Sequence, residues 1–137
     1  DVVFVGVEQR PLLVDEARRV AALLGVADRV EIRRSTIEVI DPSGFDAFYL
    51  YNPFGEHLDV DDDDVIDATI DRSPEHFARD VRIVEEWLVR ARHGTRVVTL
   101  HGFGGIMPQS YRLVGEQQFG GDALDAWEQR TSSRPPG

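Results

Sequence analysis

The chain has 137 residues and a mass of 15.4 kDa, and 42% of its residues are hydrophobic, which suits one domain with an apolar core. It contains no cysteine, so disulfide scaffolds and thiolate chemistry are excluded. The net charge is −10 and all 15 cationic side chains are arginines, which argues against a nucleic-acid partner because phosphate binding needs a basic face.

The first half of the chain alternates strand and helix patterns. Residues 1–8 form a nearly continuous apolar run, which predicts a strand buried on both faces. Pro11 suits a first helical turn, and Gly25 suits the end of that helix. Residues 29–33 predict a short strand, and residues 45–50 predict a second buried strand. The predicted apolar positions of the helix are Leu13, Ala17, Val20, Ala21 and Leu24.

The second half begins with an acidic stretch, residues 59–67, that contains four consecutive aspartates. Such a stretch is typical of a solvated loop or of the first turn of a helix, where carboxylates suit the helix dipole. A divalent-metal site is the alternative, but the EF-hand spacing and its glycine are missing. We therefore predict no metal.

A strong helix pattern follows, and a strand and a hairpin come after it. Ser73 suits the N-cap and Pro74 the first helical position, and Gly94 closes the segment. Residues 95–100 predict a buried strand. Residues 111–118 and 123–129 predict an antiparallel hairpin around a glycine turn, and residues 130–137 predict a flexible tail. The apolar stripe of the helix is Phe77, Val81, Val84, Leu88 and Ala91.

This order of elements predicts an α/β fold with three αβα layers, Rossmann-like, with a mostly parallel sheet and a C-terminal antiparallel hairpin. Residues 1–129 are predicted to form one domain. In open parallel sheets, ligands bind outside the carboxyl ends of the strands. The segments that follow the predicted strands, apart from the hairpin, are residues 8–10, 35–37, 52–54 and 101–104.

Glu8 directly follows the first buried strand. A carboxylate at such a place can accept hydrogen bonds from both hydroxyls of a ribose, although a simple helix-entry carboxylate is the alternative. Arg10 is predicted to be a surface side chain or a partner of nearby carboxylates. Ser35, Thr36 and Ile37 could hold an adenine or could be ordinary loop residues.

Asn52 and Pro53 offer an amide oxygen and a carbonyl oxygen as acceptors, with the Phe54 ring beside them. Two acceptors aimed at one point suit an amino group whose lone pair faces an electrophile, although Asn-Pro is also a common turn. His57 and His101 follow strand ends and are candidate general bases, because histidine titrates near neutral pH.

These segments resemble the class I S-adenosylmethionine-dependent methyltransferases, from the second strand of that fold to its last. Val5-Gly6-Val7-Glu8 is similar to the end of the family's second strand, whose acidic residue binds the cofactor ribose. Residues 24–30 are similar to the link into the third strand, and Gly44-Phe45-Asp46 to the entry into the fourth. Asn52-Pro53-Phe54 is similar to a shortened form of the Asn/Asp, two-proline and aromatic motif of amino-group methyltransferases.

The resemblance implies S-adenosyl-L-methionine as cofactor and an unidentified methyl acceptor, with an amino nitrogen as one candidate. The residues implied to bind the cofactor are Glu8, Gln9, Ser35, Thr36, Ile37, Tyr51 and Asn52. The residues implied to act in catalysis are Asn52, Pro53, Phe54 and His57.

The sequence departs from the family in three places. The motif at residues 52–54 lacks one proline, and residues 35–37 lack the usual acidic contact to adenine. The family's first strand and its glycine-rich loop also have no counterpart. Because that strand lies between the second and fourth strands, we predict that the chain is an N-terminally incomplete part of a larger protein. Direct pairing of the second and fourth strands would contradict this prediction.

Two other functions remain open. A nicotinamide-dependent oxidoreductase shares the ribose-binding carboxylate, although the predicted antiparallel hairpin fits the methyltransferase pattern better. A non-catalytic remnant that acts as an interaction module is the second alternative. No apolar run approaches the ~20 residues that span a bilayer, and the first residues lack a secretory pattern. We therefore predict a cytoplasmic protein without a membrane partner.

Overall fold

The computed structural model describes residues 2–58, 70 and 72–130. The predicted acidic loop at residues 59–67 and the tail from residue 131 onward lie outside the described residues. The strands are β1 (Phe4–Glu8), β2 (Val30–Arg34), β3 (Ala47–Tyr51), β4 (Arg96–Leu100), β5 (Tyr111–Phe119) and β6 (Asp122–Gln129). The helices are α1 (Pro11–Leu23) and α2 (Pro74–Arg90), and single turns of 3₁₀ helix span Ile37–Val39, Pro42–Gly44 and Gly55–His57.

The described residues divide into two compact units. The first unit contains residues 2–40 together with Ile70, and the second contains residues 41–58 and 72–130. Parallel strand pairs occur in both units, and an antiparallel hairpin ends the second. The predicted α/β fold class is confirmed.

The first unit pairs β1 with β2 in parallel, from Phe4 opposite Val30 to Glu8 opposite Arg34. Helix α1 follows β1 and ends at Gly25, whose φ of +67° lies in the left-handed region. The amides of Gly25 and Val26 donate to the carbonyls of Ala22 and Ala21, at 3.1 and 3.0 Å. This is the double hydrogen bond of a Schellman cap, so the predicted role of Gly25 is confirmed.

The buried face of α1 differs from the predicted one. Val14 and Ala21 are buried, whereas Val20 and Leu24 of the predicted stripe are exposed. Val14 and Ala21 are seven residues apart and therefore lie on one face of the helix, two turns from each other. The segment is so rich in apolar residues that their spacing is compatible with more than one buried face of the helix.

The second unit has the strand order β3-β4-β6-β5. β3 and β4 are parallel, and β6 lies antiparallel between β4 and β5. The β5–β6 hairpin turns at Gly120 and Gly121, and the φ of +61° at Gly120 is accessible to glycine at no steric cost. The predicted hairpin is confirmed.

Helix α2 supplies much of the core of the second unit. Ser73 is its N-cap, and the side-chain oxygen accepts a hydrogen bond from the His76 amide at 3.1 Å. Val81, Val84 and Leu88 are buried as the stripe predicted. The rings of Trp87 and Phe48 lie 6.2 Å apart, so this helix packs against β3. Val97, Thr99 and Phe103 are also buried in this unit.

The predicted burial of the strands is correct for β4 and wrong for β1 and β3. Val97 in β4 is fully buried, but Phe4 in β1 is 65% exposed and Tyr49 in β3 is 63% exposed. Each of these two strands pairs on one side only among the described residues, so some of its apolar side chains are exposed. β1 and β3 lie in different sheets of the described residues.

Two further expectations concern absences. Among the described residues, no group of three or more histidine, aspartate or glutamate side chains is placed to hold a metal ion. No described helix combines the length and the apolar character needed to cross a membrane.

Candidate functional site

Asn52 directly follows β3 and has a strained backbone conformation. Its φ is +35°, in the left-handed region that non-glycine residues rarely adopt. Its amide donates to the Leu100 carbonyl of β4 at 3.1 Å, and its carbonyl accepts from the Gly55 amide at 3.2 Å. The residue is exposed. Backbone strain of this kind clusters at functional sites, so Asn52 is a candidate binding residue.

Gly55 makes room for the Asn52 side chain. A Cβ atom on Gly55 would lie 2.8 Å from Cγ and 2.9 Å from Oδ1 of Asn52, closer than real Cβ contacts. The amide group of Asn52 therefore lies directly against the Gly55 backbone. The sequence Asn-Pro-Phe-Gly thus fixes the position of the amide as well as the turn.

His101 directly follows β4 and has similar backbone strain, at a φ of +60°. Its ring stacks on Tyr51 with 5.9 Å between centroids, and its Nδ1 lies 3.3 Å from Oδ1 of Asp122. Tyr51 and Leu100 are register partners, so Asn52 and His101 follow adjacent strand ends. The second unit thereby brings Tyr51, Asn52 and His101 together at the carboxyl ends of β3 and β4.

The residues that follow Asn52 point toward the interior. Pro53 is half-buried, and Phe54 is only 6% exposed. The Phe54 ring therefore anchors the segment in the core, while Asn52 faces solvent. A direct contact between Phe54 and an acceptor, as the resemblance implied, would be limited to the small exposed part of this residue.

His57 is buried in the second unit rather than presented at its surface. Its Nε2 lies 3.5 Å from Oδ2 of Asp80, and its ring stacks on His76 at 6.3 Å. Asp80 accepts a hydrogen bond at Oδ1 from Nε of Arg79 at 3.0 Å. Nδ1 of His57 has no hydrogen-bond partner among the described residues. A role as general base would therefore require the ring to become accessible.

Sequence reasoning missed Asp80, although a signal was present. This carboxylate immediately precedes Val81, at the edge of the apolar stripe of α2, and it is buried. A buried carboxylate needs a charged or hydrogen-bonding partner, and His57 and Arg79 supply it here. An aspartate beside the apolar face of the strongest helix was therefore a candidate for a specific contact.

The loop after His101 packs on α2. Phe103 is buried, and the Ile106 amide donates to Oε1 of Glu85 at 2.8 Å. A Cβ atom on Gly105 would lie 2.8 Å from that same oxygen. The glycines of this loop therefore allow close packing on a helix.

Glu8 ends β1 in the first unit and is held by Arg10. Oε1 of Glu8 accepts from the Arg10 amide at 2.8 Å and from its Nε at 2.9 Å, and Oε2 accepts from NH2 at 2.9 Å. Burial opposes ionisation of Glu8, but the hydrogen bonds and charge of Arg10 outweigh it and hold the pKa of Glu8 below 4.5. The carboxylate is therefore ionised and able to accept hydrogen bonds.

The remaining candidates of the first unit surround the ends of β1 and β2. The Ser35 amide donates to the Glu8 carbonyl at 3.0 Å, which joins the two strand ends. Gln9, Ser35 and Ile37 are half-buried, whereas Thr36 is exposed. The first unit thus brings these predicted residues together, and Arg10 joins them as a direct partner of Glu8.

No protein-family model matches the chain, and no curated protein matches its sequence.

Solved structures do match it. An RNA methyltransferase from Salinibacter ruber, in complex with S-adenosyl-L-homocysteine, is 22% identical with a TM-score of 0.61, over 96% of this chain and 69% of that one. Mitomycin 7-O-methyltransferase is 14% identical with a TM-score of 0.57, over 91% and 41%. N,N-8-amino-8-demethyl-D-riboflavin dimethyltransferase from Streptomyces davawensis is 16% identical with a TM-score of 0.56, over 93% and 42%.

These matches confirm the predicted resemblance at the level of the fold. The chain has the fold of class I S-adenosylmethionine-dependent methyltransferases. The acceptors named for the three proteins are of different kinds, namely RNA, a hydroxyl group and an amino group.

Proposed function

We propose that this chain is a methyltransferase domain that uses S-adenosyl-L-methionine. The observation that carries the proposal is the exposed Asn52, held in a strained conformation at the carboxyl end of β3 in a chain with this fold. Residues 1–129 would form the domain. The acidic net charge favours an acceptor other than nucleic acid.

The cofactor would be bound in part by residues of the first unit. The ionised Glu8 is an acceptor for ribose hydroxyls, and the half-buried Ser35 and Ile37 offer a polar and an apolar surface for the adenine. Gln9 and Thr36 lie beside them in sequence. These donor and acceptor types fit an adenosine group.

When bound, the cofactor supplies an electrophilic methyl group on a sulfonium sulfur. The work of the chain is then to orient the acceptor, because in-line positioning lowers the barrier of such a transfer. Oδ1 of Asn52 and the Pro53 carbonyl would accept hydrogen bonds from the acceptor and aim its lone pair. An amino nitrogen suits this role as the methylated atom, because it can donate hydrogen bonds to both oxygens.

Phe54 and His57 would support Asn52 from beneath. Phe54 anchors the segment in the core, and the contact between His57 and Asp80 ties it to α2. We assign His57 a catalytic contribution through the position of this segment, since its ring is buried.

Calorimetric titration of the full-length protein with S-adenosylhomocysteine and with NAD tests this function. We expect binding of S-adenosylhomocysteine and none of NAD. The substitution Glu8→Gln should weaken that binding by about tenfold or more, because hydrogen bonds to a charged group contribute ~1.5–3 kcal/mol. Glu31→Gln is the matched control, because Glu31 also pairs with an arginine two residues later but is exposed.

Two results would contradict the proposal. Binding of NAD alone would favour the oxidoreductase, and binding of neither ligand would favour a non-catalytic interaction module.

A further inference from the structure

The carboxylate of Glu8 is nearly saturated with hydrogen bonds. An ionised carboxylate offers about four lone-pair positions. The Arg10 amide and Nε both bond to Oε1, and NH2 of Arg10 bonds to Oε2. Arg10 therefore occupies three positions, and among the described residues one position on Oε2 receives no further hydrogen bond of normal geometry. A ribose with two hydroxyls needs two positions.

The burial of this pair makes its hydrogen bonds stronger than those of a surface pair. The side chains of Arg10 and Glu8 are 14% and 24% exposed. Arg33 and Glu31 form a pair with the same spacing on β2, but their side chains are 42% and 53% exposed. Ion pairs near water contribute little, and partial burial strengthens the attraction.

Arg10 holds Glu8 in two separable ways. Its backbone amide contact comes from its place as the N-cap residue of α1, with a φ of −80° and a ψ of 117°. Any residue except proline keeps that contact. The two guanidinium contacts come from the side chain alone. Removing the side chain therefore frees two lone-pair positions and leaves the backbone geometry of the helix start in place.

We propose that Arg10 is an affinity- and specificity-determining residue, whose side chain competes with the ribose of the cofactor for Glu8. The proposal rests on the function given above. Binding of both ribose hydroxyls requires the guanidinium to release at least one oxygen of Glu8. A ligand with one ribose hydroxyl needs only the position on Oε2 that receives no hydrogen bond of normal geometry from the described residues, so the competition falls on the complete diol.

The test compares two variants and two ligands by calorimetry on the full-length protein. Arg10→Met keeps an apolar stem but removes the two guanidinium contacts to Glu8, and Arg33→Met removes the same charge from the exposed pair. The ligands are S-adenosylhomocysteine and its 2′-deoxyribose analogue. We expect Arg10→Met to bind S-adenosylhomocysteine about tenfold tighter than the parent protein, and Arg33→Met to differ by less than about twofold.

The ligand comparison separates competition from a general charge effect. For the 2′-deoxy analogue, the gain in Arg10→Met should fall to less than about threefold, because that ligand needs only one position on Oε2. An equal gain for both ligands would overturn the proposal. If Arg10→Met melts at a lower temperature than the parent, Arg10→Lys replaces it. The affinity of Arg10→Lys for S-adenosylhomocysteine should lie between those of the parent and Arg10→Met.

Failure of this inference can be distinguished from failure of the proposed function. If the parent binds S-adenosylhomocysteine and Arg10→Met binds it no tighter, the competition is refuted and the function stands. If neither protein binds it, both are refuted. If only Arg10→Met binds it, both are supported.

Discussion

At the scale of single residues, Asn52 and Gly55 depend on each other. The Asn52 amide occupies the space that a side chain on residue 55 would need. The atoms in the way belong to an exposed side chain, which can rotate aside at low cost. A change at Gly55 should therefore affect the position of the amide more than the stability of the fold.

We predict that Gly55→Ala displaces the Asn52 side chain and lowers the free energy of unfolding by only about 1 kcal/mol or less. The side-chain amide signals of Asn52 in an NMR spectrum should shift, and urea denaturation gives the stability. Gly44→Ala is the control, because a Cβ atom there would meet nothing within 4 Å. Unchanged amide signals in Gly55→Ala would refute the dependence.

The buried hydroxyl of Tyr111 should make the stability of the protein depend on pH in the alkaline range. It is only 4% exposed, and its hydroxyl oxygen has no hydrogen-bond partner among the described residues. Burial raises the pKa of Tyr111 to about 12, from 10.0. Between these two values the unfolded chain releases a proton that the folded chain retains, so the free energy of unfolding falls as pH rises.

We predict that Tyr111→Phe removes this loss, which amounts to about 2 to 3 kcal/mol between pH 10 and 12. At pH 7 the variant should be as stable as the parent or more stable, because the hydroxyl contributes no hydrogen bond. Urea denaturation at a series of pH values measures both effects. The exposed Tyr49→Phe serves as control, and an equal response of the two variants would contradict the prediction.

At the scale of elements, α2 connects the two halves of the candidate acceptor site. It contacts the segment after β3 through Asp80 and His57, and the loop after β4 through Glu85 and Ile106. The start of α2 is fixed by Ser73, whose Oγ accepts from the His76 amide and also lies 2.9 Å from Nδ1 of His76. The ring of His76 in turn stacks on His57.

We predict that Ser73→Ala lowers the free energy of unfolding by about 1 kcal/mol, the usual effect of losing an N-cap. Thermal and urea denaturation measure it. Ser110→Ala is a suitable control, because Ser110 is exposed and caps no helix. A loss of stability that is equal in both variants would contradict the capping role.

At the scale of the whole molecule, sequence patterns predicted the helices and strands better than they predicted the burial of those elements. Pro11, Gly25, Ser73 and the paired glycines of the hairpin act locally, so their roles were readable from the sequence. Burial depends on neighbours distant in sequence. For that reason the exposure of β1 and β3 was not predicted.

The same limit applies to the candidate site. Glu8 and Asn52 were recognised from their places after strands. The burial of His57 depends on Asp80, which is 23 positions away. The left-handed conformations of Asn52 and His101 were not predicted, although asparagine and histidine adopt them more often than other non-glycine residues. The hydrogen bonds between Arg10 and Glu8 could be predicted only in general terms, because nearby opposite charges tend to pair.

We predict that S-adenosylhomocysteine slows hydrogen exchange at the strand ends of the first unit. Amides that follow β1 and β2, including those of Arg10 and Ser35, should gain protection, because a bound ligand stabilises the local structure that holds it. The amides of the β5–β6 turn provide an internal comparison and should not change. Protection confined to that turn would refute the proposed placement of the cofactor.

At Asn52 and His101, which have left-handed conformations, selection for thermostability and selection for function should favour different residues. Glycine adopts such backbone angles without steric cost, so replacing both residues with glycine would relieve strain. A library screened only for survival at high temperature should therefore enrich glycine at these two positions. A library screened for methyl transfer should retain the amide of Asn52. Sequences recovered from the two screens would diverge first at the ends of β3 and β4.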